Sequence, residues 1–192
     1  MKTSNNVNQN TVTGAIAAAP KPTIYAFTDG SCLNGGLGIA GPSGWAAIFT
    51  TLTGKVVHQI GGGCRKGTSS SMEEKAFIEA VKGTNFEKFN LEVVTDYLAC
   101  LQAIQAIAEG KSEKGWASKE FVKEVRKILE SKGLDVNKIS VKQGKTVCGS
   151  LKVTKIKAHE WDHLPPEELP FLALGNIGSD KSAKGWAKRF LI

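Results

Sequence analysis

The stretch "IYAFTDGS" at residues 24–31 joins an apolar, β-forming run to a carboxylate, Asp29. Ile, Tyr and Phe favour a strand here. The Asp-Gly pair leaves two interpretations of Asp29: a turn former, or one of several carboxylates gathered around metal ions. A second apolar run, "FNLEVVTD" at residues 89–96, also ends on an aspartate, Asp96. Since neighbouring strand ends in an α/β sheet lie side by side, we expect the two aspartates to be close together.

Hydrophobic periodicity around these two runs predicts an α/β domain with a mixed five-stranded sheet. An antiparallel meander comes first and βα units follow, with helices flanking the sheet. The pattern also allows an extra hairpin near residues 138–157. The predicted strands cover 23–31, a hairpin over 44–62 with its turn at Thr53-Gly54, 89–96, and strand-like segments at 137–145 and 149–159. The predicted helices cover 69–83, capped by Ser71 and Glu74, then 97–110, 116–133 and a last helix from about Ser179.

Composition limits the architecture and the partners. The 192 residues, 41% of them hydrophobic, suffice for one domain, which we place at 23–192 after a disordered polar leader at 1–22. The formal net charge of +7 favours a polyanionic partner, either nucleic acid or an anionic membrane surface.

The four cysteines form no zinc or paired-cysteine motif, which favours a reducing, intracellular and cytoplasmic location. No apolar run approaches the roughly 18 residues that span a bilayer, and of the two polyanionic partners we expect nucleic acid rather than a membrane.

A glycine motif, "GLGIAG" at 36–41, matches G-x-G-x-x-G but lacks the context of a dinucleotide site. Such a site needs a helix to begin inside the motif. Pro42 and a β-rich run follow instead, so we expect a flexible loop and no cofactor-binding role.

Two further carboxylates extend the candidate set. Glu73 lies in the first turn of the first predicted helix, and Asp180 near the start of the last. Acidic residues at helix starts are common, because they complement the helix dipole, so neither is informative alone. Two carboxylates 4 Å apart repel by roughly 4 kcal/mol at an effective dielectric near 20. A cluster of four therefore calls for counter-charge, and Mg²⁺ or Mn²⁺ suits oxygen ligands.

At this point the sequence resembles type 1 ribonuclease H. The landmarks appear in order: "YAFTDGSC", "SGWAAIF", "TSSSMEEKAFIEAV", "VVTDYLACLQAI", "IKAHEWDH" and "NIGSDKSAKGWA". The resemblance runs from about residue 23 to the end, apart from portions of 110–150. It implies a ribonuclease H-like fold and a metal-dependent endoribonuclease, acting as a monomer, that cuts the RNA strand of RNA–DNA hybrids with two ions.

The resemblance also implies residue roles. Asp29, Glu73, Asp96 and Asp180 match the metal-binding carboxylates. His159 matches a mobile histidine that assists water activation or product release, with His163 as the alternative. Contacts to the hybrid, including the 2′-hydroxyl that distinguishes RNA, are implied for Cys32, Asn34, Thr68, Ser69, Ser70 and Asn176. The family often has Asn where Ser69 and Ser70 stand, and the interval between His159 and Asp180 is longer than usual.

Residues 111–157 carry thirteen Lys or Arg against five Asp or Glu. For any single lysine a solvated helix face is the ordinary explanation. Trp116, however, lies among basic residues that include Lys114 and Lys119. Some family members grip the DNA strand with a basic, Trp-bearing protrusion here, so we predict a substrate handle.

Two alternatives stay open at this stage. One is a non-catalytic hybrid- or duplex-binding module of the same fold, against which the four intact carboxylates argue. The other is a related nuclease that acts on DNA junctions or double-stranded RNA.

Overall fold

A computed structural model describes residues 19–33, 39–142, 144–157, 161 and 164–191. Seven strands form one mixed sheet in the order β3-β2-β1-β4-β7-β6-β5. The strands are β1 (Thr23–Cys32), β2 (Gly41–Thr50), β3 (Val56–Gly67), β4 (Asn90–Thr95), β5 (Ile139–Lys142), β6 (Lys145–Cys148) and β7 (Leu151–Lys155). The helices are α1 (Ser69–Gly83), α2 (Leu98–Ala108), α3 (Lys119–Ser131) and α4 (Phe171–Lys188), with short 3-10 turns at Val136–Lys138 and Pro166–Glu168.

The sheet has two strands more than the five predicted. β3, β2 and β1 form the expected antiparallel meander, and β1, β4 and β7 run parallel. β5 and β6 then extend the sheet antiparallel beyond β7. The extra hairpin near residues 138–157 is therefore confirmed. It adds to the five-strand order β3-β2-β1-β4-β7 rather than replacing any strand of it.

Each face of the sheet packs against helices. The main core joins α1, α2 and α3 to one face, with Phe77, Ile104, Val125 and Leu129 almost fully buried. α4 packs mainly on β1 and β2 on the opposite face. The predicted hairpin turn is confirmed between β2 and β3, where Gly54 has a φ of 80°.

The cap of α1 differs from the prediction. Thr68, not Ser71, is the N-cap: its hydroxyl accepts from the Ser71 amide at 3.1 Å, and the Ser71 hydroxyl accepts from the Thr68 amide at 2.9 Å. The capping box is therefore one turn earlier than the S-x-x-E pattern indicated. A serine at the third helical position accepts from the N-cap amide as a glutamate would.

The last helix begins at Phe171, eight residues before the predicted start. Gly175 and Gly178, which precede the predicted start, lower the helix propensity of this segment. Packing overrides propensity here, because the Phe171 ring makes edge contacts with Tyr25 and Phe27 at 5.1 and 5.3 Å between centroids. A Cβ on Gly175 would lie 2.3 Å from the Phe27 ring, so this glycine permits the close approach of α4. Asp180 consequently lies within the helix rather than near its start.

In the part of the chain described, no helix combines the length and the apolar character needed to cross a membrane.

Candidate active site

Strand register brings Asp29 and Asp96 together. β1 and β4 are parallel, with Phe27 opposite Val94. Continued by two residues, this register sets Asp96, just past the end of β4, beside Asp29. Asp29 is held in the sheet because β1 continues to Cys32 through its antiparallel pairing with β2. This geometry confirms the prediction that the ends of the two strands lie close together.

Glu73 reaches Asp29 because α1 lies directly on Gly30. A Cβ on Gly30 would be 2.2 Å from the backbone nitrogen of Glu73 and 2.5 Å from the carbonyl carbon of Met72. Only a residue without a side chain fits at that distance. Glu73 is buried on α1, and its carboxyl group lies beside that of Asp29.

α4 contributes Asp180 and, one turn earlier, Asn176. Asp180 is half-buried and accepts a hydrogen bond from the Lys184 ammonium at 2.8 Å. The Asn176 Oδ1 atom is buried without a hydrogen-bond partner. The four-residue spacing places both side chains on one face of the helix.

These side chains surround one cavity of about 750 Å³. All four carboxylates line it, together with Asn176 and Ser69. Apolar side chains from the segment before α4 and from α4 itself close another part of the wall: Trp161, Leu164, Leu169, Leu174 and Ile177. The structure thus brings together residues that lie up to 151 positions apart in sequence, from Asp29 to Asp180.

The electrostatics of the cavity are unfavourable for so many carboxylates. Burial, together with the charges of Asp96 and Asp180, raises the pKa of Asp29 from 3.8 to about 7. Burial and the Asp29 charge also raise the pKa of Glu73 well above its usual value. Because the two carboxyl groups lie side by side and influence each other's pKa, the pair titrates as a unit.

The chemistry of these groups fits a divalent cation. Glu73 Oε2 and Asn176 Oδ1 are buried oxygens without partners, and carboxylate and amide oxygens are ligands that hard cations take. Among the described residues, however, no three His, Cys, Asp or Glu side chains are arranged as a complete ligand set. The Asp29 and Glu73 carboxyl groups lie beside each other and Asp180 bonds to Lys184, so these side chains would have to rearrange to hold an ion.

The residues at the start of α1 that were predicted to contact the hybrid interact with other groups of the protein. Ser69 lines the cavity and donates its hydroxyl to the Gly30 carbonyl at 3.0 Å. Thr68 caps the helix, and the Ser70 side chain lies next to that of Tyr97. The Cys32 thiol lies 3.3 Å from the Gly67 carbonyl. Cys32, Thr68 and Ser70 do not line the cavity, and their substrate roles stay predictions.

Three predicted positions fall outside the described residues: Asn34, His159 and His163.

The predicted substrate handle forms a tight loop between α2 and α3. The Trp116 amide donates to Gln102 of α2 at 2.8 Å, and the Trp116 side chain is 75% exposed. Lys114 forms an ion pair with Glu109. Lys119 lines a separate concave surface with three further basic or polar side chains from α3 and the loop, namely Lys111, Lys123 and Arg126. The structure brings none of these residues to the carboxylate cavity.

Sequence reasoning missed two residues that matter to this geometry. Gly30 allows α1 to pack directly on the sheet, whereas the two interpretations of the Asp-Gly pair concerned Asp29 and not the glycine. Lys184 lies one turn after Asp180, and this i, i+4 acid–base spacing was a readable signal of an ion pair.

A family model described as RNase H matches residues 21–187, which is most of the chain. The chain belongs to the RNase H family. The match extends from just before β1 to the last full turn of α4, so it includes all four cavity carboxylates. Members of the RNase H family generally depend on divalent metal ions.

Two curated bacterial relatives are named Ribonuclease H. That of Solibacter usitatus is 36% identical over 93 residues, covering 48% of this chain and 59% of the relative. That of Methylococcus capsulatus is 32% identical over 96 residues, covering 50% of this chain and 57% of the relative. The matched region thus spans somewhat more than half of each RNase H relative.

Solved RNase H structures share the fold at low identity. LC11-RNase H1, isolated from compost by a metagenomic approach, superposes with a TM-score of 0.59 at 19% identity, over 89% of this chain and 99% of that one. The RNase H domain of PFV superposes with a TM-score of 0.62 at 16% identity, over 88% and 97%. A second LC11-RNase H1 structure, in complex with an RNA/DNA hybrid, gives a TM-score of 0.54 at 18% identity, over 88% and 99%.

Proposed function

We propose that the chain is a metal-dependent endoribonuclease that hydrolyses the RNA strand of RNA–DNA hybrids, leaving 5′-phosphate and 3′-hydroxyl ends. The observation that carries the proposal is the cavity in which Asp29, Glu73, Asp96 and Asp180 meet with too little positive charge to balance them. The family relationship supports the same conclusion, as does the hybrid bound by LC11-RNase H1.

The four carboxylates would hold two Mg²⁺ or Mn²⁺ ions, with Asn176 as a further oxygen donor. Bound ions would supply an activated water and neutralise charge on the phosphate. The protein's own part is to fix those oxygens on rigid elements: two strands, the first helix and the last. A bound nucleic acid that covers the apolar wall of the cavity would limit access of bulk water and strengthen electrostatic interactions inside it.

Charged and polar groups around the cavity would position the nucleic acid. Lys181 and Lys184 of α4 line the same cavity and complement a phosphate. The Ser69 hydroxyl, at the cavity wall, is suited to bond the 2′-hydroxyl that distinguishes RNA from DNA. The exposed Trp116 ring and the basic side chains of α3 would contact the DNA strand without reading its sequence.

The test is an incubation of the protein with end-labelled hybrid, double-stranded RNA and double-stranded DNA, each with Mg²⁺, Mn²⁺ or EDTA. We expect cleavage of the RNA strand of the hybrid alone, only with a divalent ion, and ends that a ligase requiring 5′-phosphate accepts. Binding without cleavage under every condition would contradict the enzyme and favour the non-catalytic module. Cleavage of double-stranded RNA or DNA at the same rate would favour the related nuclease.

A further inference from the structure

The hairpin that extends the sheet beyond β7 ends at the same edge as the carboxylate cavity. β7 is parallel to β4, and β6 and β5 follow antiparallel, so the turn between β5 and β6 lies at the edge where β4 leads into Asp96. This turn is flanked by Lys142 and Lys145. We refer to these two residues as the hairpin-tip lysines.

Backbone hydrogen bonds fix this tip relative to the cavity. The Lys155 amide donates to the Gly144 carbonyl of the turn at 3.1 Å. The next residue, Ile156, donates its amide to the carbonyl of Thr95 at 3.0 Å, and Thr95 directly precedes Asp96. Three strand spacings of about 4.8 Å separate β4 from β5, so the tip extends about 14 Å sideways from Asp96.

The arrangement of the hairpin-tip lysines is unfavourable for the protein alone. They are direct cross-strand partners, and both are exposed. Like charges directly opposite each other destabilise a strand pair. Within the described part of the chain, neither has an acidic partner, whereas Lys138 at the other end of β5 pairs with Asp135 at 3.3 Å.

Protection of a sheet edge does not explain both lysines. Edge strands often carry lysine to prevent pairing with other chains, and this explanation suits Lys142 on the outermost strand. Lys145 lies on β6, which is hydrogen-bonded on both sides, by β5 and by β7. Protection of the edge therefore explains Lys142 but not Lys145, whereas an anionic ligand at the tip accounts for both.

We propose that the hairpin tip is an additional phosphate-binding surface, which holds the nucleic acid duplex where it continues past the cavity. The inference rests on the proposed function, since it takes the duplex that enters the cavity as its ligand. A reach of about 14 Å corresponds to about four phosphates of one strand, at about 3.4 Å of helix axis each. The contact is made to phosphate, so it is indifferent to sequence and to the sugar.

The test compares K142A/K145A with a control of equal charge change, K88A/K138A, whose lysines lie at the opposite end of the sheet. Binding to an 18-base-pair hybrid is measured in EDTA over a range of salt concentrations, for each variant and for the wild type. Each phosphate contact contributes about 0.9 to the slope of log affinity against log salt. We expect K142A/K145A to lower that slope by about 1.8 and to weaken binding roughly tenfold at low salt, with the control unchanged.

Duplex length and duplex type sharpen the test. A hybrid of the same sequence, too short to reach the tip, should bind wild type and K142A/K145A equally. An 18-base-pair DNA duplex should show the same change in slope as the long hybrid. Equal slopes for wild type and K142A/K145A on the long hybrid, with matching thermal unfolding curves, would overturn the inference. Failure of the wild type to cleave hybrid would instead contradict the proposed function, because the slope comparison requires no cleavage.

Discussion

Three carboxylates in this molecule share the same low exposure but have opposite surroundings. Glu92, Asp29 and Glu73 are each 7% exposed. Glu92 on β4 accepts from Lys152 and from Thr154, both at 2.7 Å, so its two oxygens are satisfied. Asp29 and Glu73 face each other without a basic partner that neutralises either carboxyl group, and Glu73 Oε2 has no hydrogen-bond partner. At equal burial, the partners of the carboxylate oxygens therefore distinguish Glu92, which stabilises the sheet, from Asp29 and Glu73, which need a ligand.

Of the substitutions that test this comparison, Asp29→Asn is expected to have the largest effect on activity. This change keeps the shape of the side chain but removes an anionic oxygen. We expect hybrid cleavage to fall by on the order of 10³-fold, as for loss of a principal electrostatic group, with hybrid binding retained. Initial rates with Mg²⁺ and a binding assay in EDTA check this. Glu92→Gln is the matched control, with activity near wild type; an Asp29→Asn protein that cleaves at the wild-type rate would refute the role of Asp29.

Gly30→Ala tests whether the contact between α1 and β1 positions Glu73. The added Cβ meets backbone atoms at 2.2 and 2.5 Å, so the helix must move away from the sheet. We expect destabilisation of about 3 kcal/mol, at the upper end of typical overpacking, together with a loss of cleavage.

Gly83→Ala is the control for the glycine substitution. A Cβ on Gly83, the last residue of α1, would meet no atom within 4 Å. Denaturant unfolding should show this variant equal to wild type or slightly more stable. Equal stabilities of the Gly30→Ala and Gly83→Ala proteins would show that the close approach at Gly30 is unimportant.

Stability against pH separates the two kinds of carboxylate without an activity assay. The pKa of Asp29 is raised from 3.8 to about 7, so the native state binds that proton more tightly than the unfolded chain does. This contribution to stability is present below about pH 4 and is lost as pH rises through 7. In metal-free protein, we expect the free energy of unfolding to fall between pH 4 and 7, by at most about 1.4 kcal/mol per pH unit from this group.

Thermal unfolding in EDTA across this pH range measures the effect. Asp29→Asn should reduce the pH dependence, because one of the buried titrating carboxyl groups is gone while Glu73 remains, whereas Glu92→Gln should keep it. A pH dependence that is the same in wild type and Asp29→Asn would contradict the electrostatic description of the cavity.

Apart from the Gly83→Ala control, Glu92→Gln has the smallest expected effect on stability. The amide retains a bond to Thr154 but loses the charge that pairs with Lys152, whose side chain is 37% exposed. Because solvent screens this partner, we expect a loss of about 1–2 kcal/mol rather than the larger cost of breaking a fully buried pair. Chemical denaturation checks the value. A loss larger than that of Gly30→Ala would mean that the ion pair contributes more than the close packing at the cavity.

Much of the fold was predictable because its signals are local. The alternation of apolar residues located the meander, β4 and the helices of the main core, and two strand-terminal aspartates located the cavity edge. The start of α4 was not predictable, because the contact of Phe171 with Tyr25 and Phe27 overrides the low helix propensity of the glycines. The approach of α1 onto Gly30 also depends on tertiary packing. The order of β6 and β5 beyond β7 was also not predictable, since the strand-like segments do not specify which strands they pair with.

Calorimetric titration of metal-free protein with Mn²⁺ near pH 6.5, in two buffers of different ionisation enthalpy, tests the central claim most directly. We expect wild type and Glu92→Gln to bind Mn²⁺ and release protons, since the ion replaces the proton held by Asp29 and Glu73. Asp29→Asn should lose most of the binding. Mn²⁺ binding by Asp29→Asn with the affinity, stoichiometry and proton release of wild type would show that the cavity carboxylates are not the metal site.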